Sequence, residues 1–120
     1  MSSVSPAFQP ARVESVQNIP VVTMAGRLDT ENMPAFDAQM APLLAEPHRR
    51  ILMDLGAVTF ISSLGLRSLL KVIKHAAASG GRAALFAVPA PIFEVIEMTG
   101  FSSLVDLYPD RASALADSLM

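Results

Sequence analysis

The stretch from Ile51 to Val88 limits the possible folds more than any other part of the chain. Ile51 to Leu55 is a short, mostly apolar run, the pattern of a strand buried on both faces. Ser62 to Ala78 then carries the longest helical pattern in the sequence, and Gly80-Gly81 supplies its stop. Ala83 to Val88 is a second buried-strand run, broken at Pro89, whose nitrogen has no hydrogen to give to a sheet ladder. Two such strands with a helix between them make a parallel pair joined by a right-handed crossover, and such a pair needs helices to cover it.

The flanking segments extend this unit. Arg12 to Gln17 and Val21 to Ala25 read as two strands joined at Asn18-Ile19-Pro20, with Gly26 ending the second. Thr30 is the expected N-cap of a helix with apolar positions Met33, Phe36, Met40, Leu43 and Leu44, closed by Pro47. Pro91 suits the first turn of a short helix carrying Ile92, Phe93, Val95 and Ile96. Leu104 to Tyr108 reads as an edge strand, and Asp110 to Leu119 as a terminal helix with Leu115 and Leu119 one turn apart. The expected class is α/β, with a mixed, mostly parallel sheet of about five strands covered by about four helices. In the long helix, Leu66, Leu69, Leu70, Ile73 and Ala77 are the expected buried stripe.

Length and composition agree with one domain. The chain has 120 residues, 52% of them hydrophobic and 17% charged, enough apolar material for a core and too much for disorder. Residues 1–10 read as a flexible lead-in and 11–120 as one folded domain without internal repeats. Met1 to Pro10 holds no basic residue followed by an apolar run, so it does not read as a secretory signal. Nine Lys and Arg against eleven Asp and Glu give a net charge of -2, with no basic block, which argues against nucleic acid as a partner. There is no cysteine, hence no disulfide and no thiolate chemistry, as suits a cytoplasmic protein. The longest apolar run, Ala83 to Phe93, contains Pro89 and Pro91 and is too short for a membrane span. Its Leu85 to Phe93 part reads as core, or else as the wall of a pocket or partner surface.

Enzyme chemistry finds no support. His48 and His75 are the only histidines and lack metal-ligand spacing. Ser63 and His75 would sit on one helix about 18 Å apart, too far to share a proton with Asp54 as third member. His75 reads as a solvated or capping residue near the helix end. No glycine-rich phosphate loop is present. Asp54, at the end of an apolar strand, suggests a phosphoryl-accepting receiver, but the acids and strand-end lysine that would hold Mg²⁺ and phosphate are missing, since Lys71 and Lys74 lie mid-helix. Asp54 reads instead as a turn residue bonding nearby amides. No cofactor is expected.

Ser62-Ser63 remains, and a serine pair at a helix start reads first as an N-cap. Its context is more specific. The stretch Asp54-Leu55-Gly56-Ala57-Val58-Thr59-Phe60-Ile61-Ser62-Ser63-Leu64-Gly65-Leu66-Arg67-Ser68-Leu69-Leu70 resembles the central motif of the STAS domain, the sulfate-transporter and anti-sigma-factor-antagonist family. Upstream, Gly26-Arg27-Leu28-Asp29 is similar to that family's Gly-x-Leu-Asp turn.

For a free-standing domain, the resemblance implies an anti-sigma factor antagonist. Such a protein binds an anti-sigma factor with serine kinase activity, releases a sigma factor, and is switched off by phosphorylation of a serine at the start of the long helix. A PP2C-type phosphatase reverses the mark. Motif to motif, the acceptor falls on Ser63. Ser62 stands where the family often has Asp, and Leu64 where a smaller residue is usual. Ser62, Ser63, Leu64 and Gly65 belong to the implied partner-binding face. Asp29 is open to two readings, a cap or turn residue or a contact on that face. Arg67, Lys71 and Lys74 follow Ser63 on nearly one side of the helix, forming either a solvated face or a basic stripe that meets an acidic partner. The alternative within the family is a ligand-binding or scaffold subunit of a transport or signalling assembly, without phosphorylation.

Overall fold

The computed structural model describes residues 10–119, so the lead-in expected over residues 1–10 lies almost entirely outside the described residues. Five strands, β1 (Ala11–Val16), β2 (Ile19–Leu28), β3 (Arg50–Ile61), β4 (Arg82–Phe86) and β5 (Asp106–Tyr108), form one sheet in chain order. β1 and β2 are antiparallel, and the remaining neighbours are parallel. The crossovers contain α1 (Met33–Leu44), α2 (Ser63–Ala78) and α3 (Ala90–Thr99), and α4 (Arg111–Ser118) closes the chain. The α/β class with a mixed, mostly parallel sheet is therefore as the sequence predicts.

Period-2 alternation in the strands sorts the core into two layers. Val22, Met24, Ile51, Met53, Leu55, Ala83 and Leu85 point to the face covered by α1, α2 and α3. Val21, Leu52, Ala84 and Phe86 point to the other face, where α4 contributes Ala114. The central strands are buried on both sides, which is why their sequence is apolar without alternating.

Several boundaries differ from the sequence-based expectation, each for a local reason. The β1–β2 turn is the pair Gln17-Asn18, both with positive φ (51° and 69°), the geometry of a tight hairpin. Ile19 and Pro20 thus belong to β2, and Pro20 costs no ladder bond to β3 because that pairing begins only at Val21. Gly26, at φ 77°, does not end β2 but sits at an irregularity that lets the strand continue to Leu28. The N-cap position of α1 is Asn32 rather than Thr30, because the Asp29 carbonyl already accepts the amides of Asn32 and Met33 and winds the chain there. β5 is shorter than expected, since Phe101–Leu104 forms a 3₁₀ turn before it. β4 ends at Phe86, ahead of Ala87 at φ 57°.

Two further differences bear on function. β3 runs to Ile61 rather than ending at Leu55, and β4 pairs only with its first half, Arg50 to Asp54. Ala25–Leu28 and Ala57–Ile61 consequently extend as a two-stranded ribbon past β4 and deliver the chain to Ser62. The buried stripe of α2 is Gly65, Ser68, Leu69, Val72, Ile73 and Ala76. Of the expected set, Leu69 and Ile73 are buried, Leu66 and Leu70 are half-buried, and Ala77 is exposed. Small residues turn that face inward because they let the helix approach the sheet.

The outer edge of the sheet is closed at one point by a side chain. The Gln39 amide of α1 donates to the Ala11 carbonyl at 2.6 Å and accepts from the Ala11 amide at 3.2 Å.

Candidate functional site

The site lies where the β2–β3 ribbon meets the head of α2. The Ser62 amide donates to the Leu28 carbonyl at 2.9 Å, tying the end of β3 to the end of β2. The Ser62 hydroxyl accepts from the Gly65 amide at 3.2 Å and donates to the same Leu28 carbonyl at 3.2 Å. Ser62 is thus the N-cap of α2 and both functions of its hydroxyl are used. Gly65 allows this close join, because a Cβ there would stand 2.3 Å from the Leu28 carbonyl oxygen.

Ser63 is the first residue of α2 and is exposed. Its hydroxyl makes no hydrogen bond to a histidine or carboxylate among the described residues, and His75 lies in the last turn of the same helix. Ser63 thus has no base beside it among the described residues. It lines a cleft of about 420 Å³ together with Thr30, Ser62, Leu64 and Arg67. Leu64 is half-buried and packs on the main core.

Beyond Ser63, the cations on α2 separate. Arg67 is exposed on the cleft and enters no ion pair among the described residues. Lys71 pairs with Asp37 of α1 at 3.6 Å, so it bridges two helices instead of continuing a free stripe. Lys74 is exposed.

Asp29 turns into its own loop. One carboxylate oxygen accepts from Arg27 Nε at 3.0 Å and the other from the Asn32 amide at 3.2 Å, while Asn32 Nδ2 donates to the Arg27 carbonyl at 2.7 Å. The Arg27 hydrogen bond holds the Asp29 carboxyl below the usual carboxylate range. The turn reading expected of Asp29 is met, and the bonded cluster flanks Thr30, which lines the cleft.

Arg27 and Phe60 are residues that sequence reasoning missed. The guanidinium lies 4.2 Å from the centre of the Phe60 ring, and Phe60 is 40% exposed beside the serine pair. Only the strand register, which pairs Arg27 with Phe60, could have signalled this. Asp54 lies within β3, not at a strand end, and its carboxylate accepts from the Gly56 amide at 2.9 Å, the local role expected of it. His75 places Nε2 2.7 Å from the Glu46 carbonyl oxygen, joining α2 to the loop after α1. Leu85 and Phe86 of the apolar stretch are core, whereas Ala87, Val88 and Phe93 line a shallow cleft with Leu107, Tyr108 and Pro109. Among the described residues, no helix is long and apolar enough to cross a membrane.

Residues 10–114 match the STAS domain family, and the chain belongs to it. A Bordetella bronchiseptica protein named as a candidate anti-sigma factor antagonist, BtrV, is 28% identical over 104 residues, covering 87% of this chain and 90% of that one. The crystal structure of an anti-sigma factor antagonist from Mycobacterium paratuberculosis superposes with a TM-score of 0.80 at 25% identity, covering 94% of this chain and 96% of that one. The unphosphorylated form of the anti-sigma factor antagonist SpoIIAA shares the fold, with a TM-score of 0.75 at 17% identity over 91% of this chain and 95% of that one.

Proposed function

We propose that this chain is an anti-sigma factor antagonist, switched by phosphorylation of Ser63. The observation that carries the reading is the division of labour in the serine pair: Ser62 is consumed by the fold, whereas Ser63 is exposed at the head of α2. The names of its similar proteins support the partner class, an anti-sigma factor. In this reading the partner is a serine kinase. The γ-phosphoryl group of its ATP passes to Ser63 Oγ, the bond from the γ-phosphorus to the bridging oxygen of ADP breaks, and the hydroxyl proton is released. A PP2C-type phosphatase hydrolyses the ester and resets the switch.

The physics favours a change of binding without a change of fold. Phosphate adds about -1.5 to -2 charge, and a helix N-terminus stabilises an anion by roughly 0.3–1 kcal/mol. Pressed against a partner, the same group must be desolvated or face like charge, at a cost of several kcal/mol. A loss of about 2.8 kcal/mol weakens binding roughly a hundredfold. Incubation with the cognate kinase and ATP, followed by peptide mass mapping, should find phosphate on Ser63. Ser63→Ala should bind the partner constitutively and Ser63→Asp poorly. Phosphate on Ser62 or Ser68, or on no residue, overturns the assignment.

A further inference from the structure

We infer that Arg67 is an internal clamp for phosphate on Ser63, an inference that rests on the proposed phosphorylation of that serine. Spacing is the first ground: residues four apart are neighbours on one helix face, so Arg67 stands one turn below Ser63. Geometry is the second, since both line the same cleft, as does Thr30. Availability is the third. Among the described residues Arg12, Arg49, Arg67 and Lys74 have no carboxylate partner, and of these only Arg67 lines the cleft with Ser63. Asp29, next in sequence to the cleft residue Thr30, is held by Arg27 and the Asn32 amide. Glu31, on the same turn, is exposed and does not line the cleft.

A guanidinium fork matches two phosphate oxygens, which a hydroxyl or a point charge does not. Capture of phosphoserine by Arg67 has two consequences for the surface that the domain presents. The added negative charge is partly met within the domain, and the one unpaired cation beside the serine is withdrawn from any partner. Ser63→Asp supplies less charge than phosphate on a shorter side chain, so it reproduces the clamp only in part.

The test needs no kinase. Phosphoserine is placed at position 63 of the full chain by an expanded genetic code, and its second ionisation is followed by ³¹P NMR between pH 4 and 8. That ionisation ordinarily falls near 6. A neighbouring cation favours the dianion, so the midpoint should lie about 0.4 pH unit lower in the parent than in Arg67→Gln. Arg67→Lys should recover part of the difference. The Arg67 Nε–H resonance should move with the same midpoint. Equal midpoints in the parent and Arg67→Gln, with an Nε–H signal that does not titrate, overturn the clamp. That outcome is separate from the kinase assay, which alone decides whether Ser63 is a substrate.

Discussion

Ser62 and Leu28, 34 residues apart in sequence, share two hydrogen bonds at one carbonyl: the amide and the hydroxyl of Ser62 both donate to the Leu28 oxygen. The head of α2 is therefore anchored to the end of β2 through the first serine, and the second serine carries no structural duty. Ser62→Ala should lower stability by about 1 kcal/mol, the usual cost of a lost N-cap, and Ser62→Asp should recover most of it. Ser63→Ala should change stability by less than about 0.5 kcal/mol, as expected of a surface position. Urea unfolding of the three variants checks the contrast.

Gly65 should be the least tolerant position of the site. Alanine there would place Cβ 2.3 Å from the Leu28 oxygen and 3.0 Å from Ile61 Cγ1, and backbone cannot yield as a flexible side chain does. Overpacking of this kind costs typically 1–3 kcal/mol. Gly65→Ala should fall in that range by thermal or urea unfolding, and it should also impair phosphorylation of Ser63, because the serine moves with the helix end.

The face of α2 that packs on the sheet sets a second contrast. Leu69→Ala should cost about 2–5 kcal/mol through lost burial and the cavity left behind. Leu70→Ala, at a half-buried position, should cost clearly less. Equal losses would show that α2 is rotated from the orientation described.

Stability should fall on acidification through Asp106. This carboxylate of β5 accepts from Arg50 at 2.7 Å and from Arg82 at 3.0 Å, joining the first residues of β3, β4 and β5. Burial pushes its carboxyl up, but the Arg50 and Arg82 hydrogen bonds outweigh that, and the folded value lies below the ordinary 3.8. A depressed carboxylate stabilises the fold above its unfolded value and loses that contribution as pH falls through the folded one. Asp106→Asn should lower stability at neutral pH and flatten the acid limb below about pH 4, measured by urea midpoints across the pH range.

Cations on α2 should affect partner association unequally. Arg67→Glu should slow association with the anti-sigma partner and weaken its salt dependence, as steering by a free charge requires. Lys71→Glu should have a smaller effect, because Asp37 already offsets that charge at 3.6 Å. Stopped-flow association at several ionic strengths separates the two.

Helices and doubly buried strands were legible because their apolar periods are strong: Ile51–Leu55 and Ser62–Ala78 stand out without any partner. The ribbon was not legible. Gly56, Ala57 and Thr59 show no alternation, and they become strand only because β2 offers a continuing edge. The expected stripe on α2 favoured large side chains such as Leu66 and Leu70, whereas contact with the sheet depends on Gly65, Ser68 and Ala76, which carry little hydrophobic signal. In the site, the serine pair and Asp29 were visible as motif. The unequal roles of the two serines depend on an oxygen from a distant strand, and the pairing of Lys71 depends on how α1 meets α2. Neither relation has a local signature.

Gln39 bears on how the domain behaves among copies of itself. A sheet edge is a template for another chain, and growth by strand addition is the common route from such an edge to aggregates. At Ala11 that template is already read by a side-chain amide that imitates a peptide group, donating and accepting as a sixth strand would. The switch role proposed above requires a chain that stays available to exchange between partners. With Gln39 on its border, the fold occupies the strand-addition site at Ala11 with a neutral side chain, and that part of the edge is closed without added charge.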